Sequence, residues 1–413
     1  MMEWTPDQAR ALEVLAGENN VFLTGGAGTG KSTVITDFIR KQESVAVLAS
    51  TGTAAILLGG RTLHSFFGLG IMEGGADAVV ERALKHRGIV QRLRKTKTVL
   101  IDEISMIGSA ELQCAEKIAR KARANSAPWG GLRIVAIGDF AQLPPVVRST
   151  PMQGETVRPW CFSSEVWRNT LFDPVVLKEI VRSRDAGWNR VLGEIRWGEL
   201  EERSFEVLKE RVRPVGLHFD GTRLFARRNQ VDALNQDRLK TLPGEAREYP
   251  TVYMGNAQRL DEMKRNAPIP EVLWLKVGAL VMFRQNDPDY RFVNGTLGKI
   301  VKLKDQEVDV ELLSGKTIEM KPATFSMLDA EGQVLASAAN FPLNLAWACT
   351  IHKAQGATLD RVHADLNGVW EHGQSYVALS RVRSSEDLSL SGLSPRSFRL
   401  DPEVLSFYRT LRS

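Results

Sequence analysis

Long apolar runs are missing from this chain of 413 residues, and with them any segment that could cross a bilayer as a helix. The first residues, Met1 to Asp7, show neither a basic start with an apolar stretch behind it nor an Arg-rich amphipathic pattern, so no targeting signal is expected. Cysteine is scarce: Cys114, Cys161 and Cys349 stand far apart and form no C-x-x-C pair. That spacing argues against a disulfide framework or a zinc site and for reduced, packed thiols in a cytoplasmic protein. Fixed-period repeats, low-complexity tracts and long linkers are also absent, which predicts units packed together rather than strung apart. Neither sign of charge dominates: 54 Lys and Arg against 49 Asp and Glu leave +5, compatible with a nucleic-acid partner and equally with an ordinary enzyme. Short basic stretches such as Lys95 to Lys97 read as solvated faces. What remains is the composition of a multidomain globular chain, 43% hydrophobic and 25% charged.

The most informative stretch is Gly25-Gly26-Ala27-Gly28-Thr29-Gly30-Lys31-Ser32, between an apolar strand at Asn20 to Leu23 and a helix running through Phe38. It reads as a P-loop: the glycines let backbone N–H groups and the helix N-terminus face phosphate oxygens, Lys31 reaches the β- and γ-phosphates, and Ser32 holds magnesium. Further short apolar strands are expected at Val45 to Ala49, Thr98 to Ile101 and Leu132 to Ile137. Alternating with helices, they predict a parallel sheet whose chemistry gathers at the strand ends, Ser50-Thr51-Gly52, Asp102-Glu103 and Gly138-Asp139. Asp102 and Glu103 end an apolar strand, where the first acid completes a magnesium shell and the second orients water. Gln142, in Gly138 to Pro145, is a candidate sensor of the γ-phosphate.

Thr5 and Pro6 mark the start of a first helix that carries Gln8. A glycine-rich excursion at 66–85 reads as a small protruding insertion. From Val175 a second α/β pattern begins, with a strand at Arg223 to Ala226 and a helix capped by Asn229. It resumes near Ala346, with a helix at Tyr376 to Val382 and a strand at Asp387 to Leu390. Between its halves, roughly Gly244 to Phe341, short alternating strands with turns at Asn286 to Asp289, Asn294-Gly295, Asp305-Gln306 and Ser314-Gly315 predict a small β-barrel.

Gln8, the P-loop, Ser50 to Ala55, Thr62 to Phe66, Asp102 to Met106, Gly138 to Pro145, Leu345 to Gly356 and Tyr376 to Arg381 together resemble the ordered motifs of superfamily one helicases, and within them the Pif-type (petite integration frequency) group. The resemblance covers nearly the whole chain. It implies an α/β fold of two RecA-like P-loop NTPase lobes with parallel sheets: a first lobe at 1–65 and 86–170, a wedge at 66–85, a second lobe at 171–243 and 342–413, and an SH3-like barrel at 244–341. It places Gln8 on adenine and Gly356 at the nucleotide, with Lys31, Ser32, Asp102 and Glu103 in the roles above. It adds Arg381 and Arg182 as arginine fingers, whose guanidinium groups stabilise the charge of a loose phosphoryl-transfer transition state. Ser183 stands where many relatives have glutamine, and Arg184 is close enough to compete for the role of Arg182. Ala354 replaces a common serine.

For the strand, the resemblance points to Thr51, His64, Pro145, Thr350, His352 and Lys353, whose hydroxyl, imidazole and ammonium groups suit a phosphate backbone. Phe66 or Phe67 offers a stacking face, against the plainer reading of both as core. The implied activity is that of an ATP- and Mg2+-dependent helicase moving 5′ to 3′ on single-stranded DNA, acting as a monomer. Its substrates are forked duplex and, by extension, G-quadruplex DNA and RNA-DNA hybrids. The associated processes are DNA repair, recombination and telomere maintenance. A RecD-like or relaxase-type helicase is the neighbouring alternative, and a regulatory ATP-dependent binding module is the alternative from another class; Glu103 and Arg381 argue against the second.

Overall fold

The computed structural model describes residues 3–412 apart from 43, 71, 73–74, 146–159, 217–218, 286, 288–290, 293 and 329–332. Two compact units divide the chain: Met1–Val181 with Met327–Val334 and Ser406–Ser413, and Arg182–Ser326 with Leu335–Leu405.

The first unit is built on six parallel strands, β1 Val21–Gly25, β2 Val45–Ala49, β3 Arg61–Thr62, β4 Thr98–Asp102, β5 Arg133–Gly138 and β6 Asp173–Leu177, in the order β3-β2-β4-β5-β1-β6. The central strands are apolar throughout because helices cover both faces, which leaves no solvated side to alternate with. On one face α1 (Pro6–Ala16) and α2 (Lys31–Arg40) bury Ala11, Leu15, Val34, Ile35 and Phe38 against Leu23, Leu100, Ile137 and Val175. Truncating Phe38, only 3% exposed, to alanine would cost about 3–5 kcal/mol through lost burial and the cavity left behind. Thr5 and Gln8 form the capping box that starts α1, with Pro6 in its first turn.

An aromatic cluster, Phe22, Phe140, Phe162 and Trp167, packs together elsewhere in the unit, and the end of the chain joins it. Phe407, from the C-terminal helix Pro402–Arg412, stacks on Phe162 with ring centroids 4.4 Å apart and planes inclined by 12°.

The second unit holds a four-stranded parallel sheet, in the order Ala348–Thr350, Thr222–Phe225, Val362–Asp365, Leu388–Ser391. Between Thr222–Phe225 and Ala348–Thr350 lies the expected antiparallel insertion. Its largest sheet orders Thr317–Met320, Val308–Leu312, Leu297–Leu303, Leu280–Phe283 and Leu343–Leu345. In Val308–Leu312 the burial alternates as its sequence predicts, with Val308, Val310 and Leu312 inside.

Several expectations are corrected. The second α/β pattern does not begin at Val175: β6 pairs with β1 in the register Val21↔Asp173 to Gly25↔Leu177, so it belongs to the first sheet. The last residues, Ser406–Ser413, fold with the first unit rather than the second. In the stretch 66–85, Phe66 and Phe67 end a packed helix, and Gly75–Lys85 buries Val79, Val80 and Ala83. The described part of that stretch is therefore packed into the first unit and not a projection. Asn229 is not a cap, since the helix Arg228–Thr241 starts from Arg227 with no side-chain cap bond. Of the turn expected at Asn286 to Asp289, residues 286, 288 and 289 lie outside the described set.

Candidate nucleotide and nucleic-acid sites

The first unit gathers its candidates at the carboxyl ends of neighbouring strands. Register sets this arrangement: Thr24 of β1 lies beside Gly138 of β5, and Ile101 of β4 beside Ala136, so the three following loops emerge from one edge. The loop after β1 turns through left-handed glycines, Gly28 at φ 83° and Gly30 at φ 85°, before α2. Gly30 is called for by that φ, and a Cβ there would also displace the Gln8 amide, whose Nε2 would lie 2.4 Å away.

The loop is held by its own chain. Gln8 Nε2 donates to the Thr29 carbonyl (3.0 Å), Thr29 Oγ1 to the Gly26 carbonyl (2.9 Å) and the Val181 N–H to the Gly28 carbonyl (2.9 Å). Lys31 Nζ folds back on the Gly25 and Gly26 carbonyls at 2.7 and 3.1 Å. Ser32 is exposed on the first turn of α2, where the helix dipole favours an anion. Gln8, 5% exposed, thus tethers the loop besides capping α1.

At the end of β4 the Asp102 carboxylate accepts the Glu103 N–H at 2.9 Å. Desolvation pushes Asp102 above the usual carboxylate range, opposed by that backbone bond and by the Lys31 charge. A divalent cation would reverse the penalty, and the Ser32 hydroxyl and Asp102 carboxylate are the oxygen donors that a hard ion such as Mg2+ takes. Glu103 has φ 51° and ψ 48°, a left-handed conformation uncommon for a residue with a side chain. Such strain concentrates at functional sites, because it aims a side chain where an extended strand would not.

After β5, Gln142 is 5% exposed and its N–H donates to the Asp139 carbonyl at 2.9 Å. Asp139 is fully buried, and its carboxylate accepts from the Tyr408 hydroxyl and from the Ala141 N–H at 3.3 Å. Reading the sequence alone places Asp139 at a strand end that carries chemistry but passes over its partner Tyr408. The available signal was Val404 and Tyr408 four apart on the last helix, an apolar stripe that needed a core to face.

The first-unit strand candidates fare unevenly. Thr51 caps the helix Gly52–Leu57 by accepting the Ala54 N–H at 3.2 Å and, like His64, is half-buried. Pro145 is buried. The stacking role of Phe66 is corrected: it is 3% exposed, edge-on to Phe67, with the Arg92 guanidinium 5.0 Å from its ring centroid. A base has no open face there.

In the second unit, Thr350 caps the short helix Ile351–Ala354 by accepting the Lys353 N–H at 3.2 Å. His352 Nε2 lies 3.5 Å from a Glu371 carboxylate oxygen. Lys353 is exposed, yet the surrounding protein and then the Arg228 charge hold its ammonium below the usual lysine range. Gly356 has φ 77° with nothing near its Cβ position, so backbone conformation rather than close approach calls for glycine. Arg182 Nη1 donates to the Ser380 carbonyl at 2.9 Å, and burial pushes its guanidinium down to about 10. Arg184 is exposed. Arg381, 1% exposed, donates to the carbonyls of Val377, Ala354 and Ala357 and to Ser380 Oγ. Both guanidinium groups are engaged within their own unit.

The sequence profile of the PIF1-like helicase family matches residues 7–192. The chain is 46% identical over 410 residues, 99% of its length and 92% of the other, to the ATP-dependent DNA helicase Pif1 of Bdellovibrio bacteriovorus. It belongs to the Pif1 helicase family. A zebrafish (Danio rerio) PIF1 is 36% identical over 98% of this chain, which spans 64% of that longer relative. Among solved Pif1 structures, that of a Bacteroides Pif1 with ADP-AlF4 matches with a TM-score of 0.86 at 29% identity, covering 100% of this chain and 98% of the other. The same Pif1 bound to ssDNA matches at 0.68, with the same identity and coverage.

Proposed function

We propose that this Pif1-family chain is a motor that hydrolyses ATP at the loop after β1, moves 5′ to 3′ along single-stranded DNA and opens forked duplex. That it is an ATP-dependent DNA helicase follows from its family. The observation that carries the ATP site is the convergence of Lys31, Asp102-Glu103 and Asp139-Gln142 on one edge of one parallel sheet, while the 5′ to 3′ direction is taken from the family resemblance. Lys31 exchanges the Gly25 and Gly26 carbonyls for β- and γ-phosphate oxygens, and Gln8 positions the loop beside the base. Ser32 and Asp102 would hold the Mg2+ ion, which when bound neutralises charge on the phosphates. Glu103 orients the attacking water, and Gln142 reads the γ-phosphate.

Arg381 and Arg182 supply positive charge to the transferring phosphoryl group, which requires each to release the carbonyls it now holds. That exchange makes their charge conditional on nucleotide, the differential binding a motor needs. Thr51, His64, Pro145, Thr350, His352 and Lys353 hold the strand through its backbone, so binding is independent of sequence. Residues 244–341, apart from Met327–Val334, which cluster with the first unit, form the SH3-like part of the second lobe, and a monomer is the working unit. G-quadruplex DNA and RNA-DNA hybrids extend the substrate range, and the setting is cytoplasmic.

A strand-displacement assay with ATP on 5′-tailed, 3′-tailed and quadruplex substrates tests this reading. Preferential opening of the 5′-tailed fork is expected. Opening of the 3′-tailed fork instead overturns the polarity, and no ATP-dependent opening of any substrate overturns the motor.

A further inference from the structure

The second unit contains a cleft of about 890 Å3 between the helix Arg228–Thr241, the segment leading into the strand Val272–Leu275, the end of Leu280–Phe283 and the turn that carries Thr350 and Lys353. Six cations line it, Arg228, Lys240, Lys264, Arg265, Arg284 and Lys353, against two carboxylates, Asp232 and Glu271. The carboxylates are already committed: Asp232 lies 3.4 Å from Arg228 and Glu271 lies 3.7 Å from Lys264. Among the described residues, no carboxylate comes within ion-pair distance of Arg284 or Lys353.

Arg284 is the unusual member. It is 4% exposed, its Nη1 reaches only the Met282 sulfur at 3.5 Å, and its Nε has no hydrogen-bond partner. The carboxylate nearest in sequence, Asp287, is gripped by Arg291 through two bonds of 2.8 and 2.9 Å. A guanidinium cannot shed its proton to escape burial, as a lysine can. A buried charge without a counter-charge destabilises the fold by several kcal/mol, and an apolar side chain of similar volume is usually better tolerated there. The arginine therefore makes physical sense with an anion beside it. Burial also holds the Arg284 and Lys353 cations below their usual ranges, the state that an arriving anion would relieve.

We infer that Arg284, together with Lys353 and Thr350, seats a phosphodiester of single-stranded DNA in this cleft. The inference rests on the proposed function and adds to it a phosphate contact from the antiparallel insertion. A strand suits the site better than a lone phosphate for two reasons. The cleft is far larger than one phosphate, and Trp274, 43% exposed, lends the same wall an aromatic face against which a base can stack.

The test compares wild type, Arg284→Met and Arg284→Lys for affinity to a labelled oligothymidine over a salt series, with thermal midpoints alongside. Arg284→Met is expected to weaken binding by about tenfold and to reduce the slope of log affinity against log salt by about 0.7, one phosphate contact on a single strand. Its midpoint should rise, because an uncompensated buried charge is gone. Arg284→Lys should keep most of the affinity and the slope. A folded Arg284→Met with unchanged affinity and slope overturns the inference, and so does one whose midpoint falls or that fails to fold, since the arginine is then structural. Competition by millimolar inorganic phosphate or ADP as effective as competition by unlabelled oligonucleotide would overturn the strand assignment. If wild type itself does not bind the oligonucleotide, it is the proposed function that falls.

Discussion

The loop after β1 and the cleft of the second unit are both phosphate sites by their chemistry, yet they wait for their ligands in opposite conditions. In the loop Lys31, Gln8 and Thr29 each have a partner from their own chain: Lys31 on two carbonyls, Gln8 on Thr29, Thr29 on Gly26. In the cleft Arg284 Nε has none. A site satisfied by itself keeps its shape when empty and gives up bonds to bind, so its ligand must offer better ones. An unsatisfied site holds a strain that any suitable anion relieves, which suits a ligand that slides through rather than one that is selected. Four experiments bear on that contrast.

The largest effect is expected at Lys31. Lys31→Ala should reduce ATP turnover by about a thousandfold. Its thermal midpoint should move only about 2–4 °C downward, the net worth of the loop bonds. A falling midpoint here and a rising one for Arg284→Met would set the two sites apart by sign alone; shifts of the same sign would erase the distinction. Glu103→Gln comes next, with turnover lower by about a hundredfold and ATP binding retained, because the side chain acts on water rather than on nucleotide. Turnover within a few-fold of wild type in a single-turnover assay would remove Glu103 from the reaction.

The second unit also offers a control, a buried titratable group that is satisfied. His363 is 6% exposed, its Nδ1 is 2.9 Å from Ser389 Oγ, and burial, helped by the Arg223 charge, pushes the imidazole down to about 4. The unfolded chain therefore binds a proton below its own value of 6.5 that the folded chain refuses until about 4. Stability from this group is complete above the unfolded value and declines as pH falls through the window, by up to about 3 kcal/mol. Denaturant midpoints between pH 7 and 4 for wild type and His363→Gln should diverge accordingly, and parallel curves would count against it. Smallest is Tyr408→Phe, which keeps the ring and deletes the hydroxyl on Asp139, for a loss of about 2 kcal/mol. A double-mutant cycle with Asp139→Asn should show the two coupled, whereas additive effects would mean that the bond contributes nothing.

The chemistry at the first sheet was legible because parallel strands covered on both faces read as plain apolar runs, each closed by the residue that does the work: Gly25, Asp102, Gly138. The phosphate loop could be read for a local reason too, since every residue in it answers to the backbone beside it. Long-range pairing was not. Nothing within Asp173–Leu177 says that it lies against Val21–Gly25, and its Asp and Pro suit an edge in either unit. Phe66 was misread although its own helix held the correction: Leu63, Phe66 and Phe67 recur at the spacing of a buried stripe. Arg284 was invisible for a different cause, because an arginine in a strand-rich segment becomes informative only when its lack of a counter-charge can be seen.

The placement of Phe407 and Tyr408 has a consequence for how the polypeptide is made. Phe407 lies among Phe22, Phe140, Phe162 and Trp167, so the aromatic side of the first sheet is finished by a residue that leaves the ribosome long after the strands it covers. At about 5–20 residues per second, roughly ten to fifty seconds separate the emergence of the sixth strand from that of its final aromatic partner. The sheet synthesised first is thereby still incomplete while the second unit is being made, and throughout that interval a nascent chain carries a phosphate loop on a sheet whose core is open.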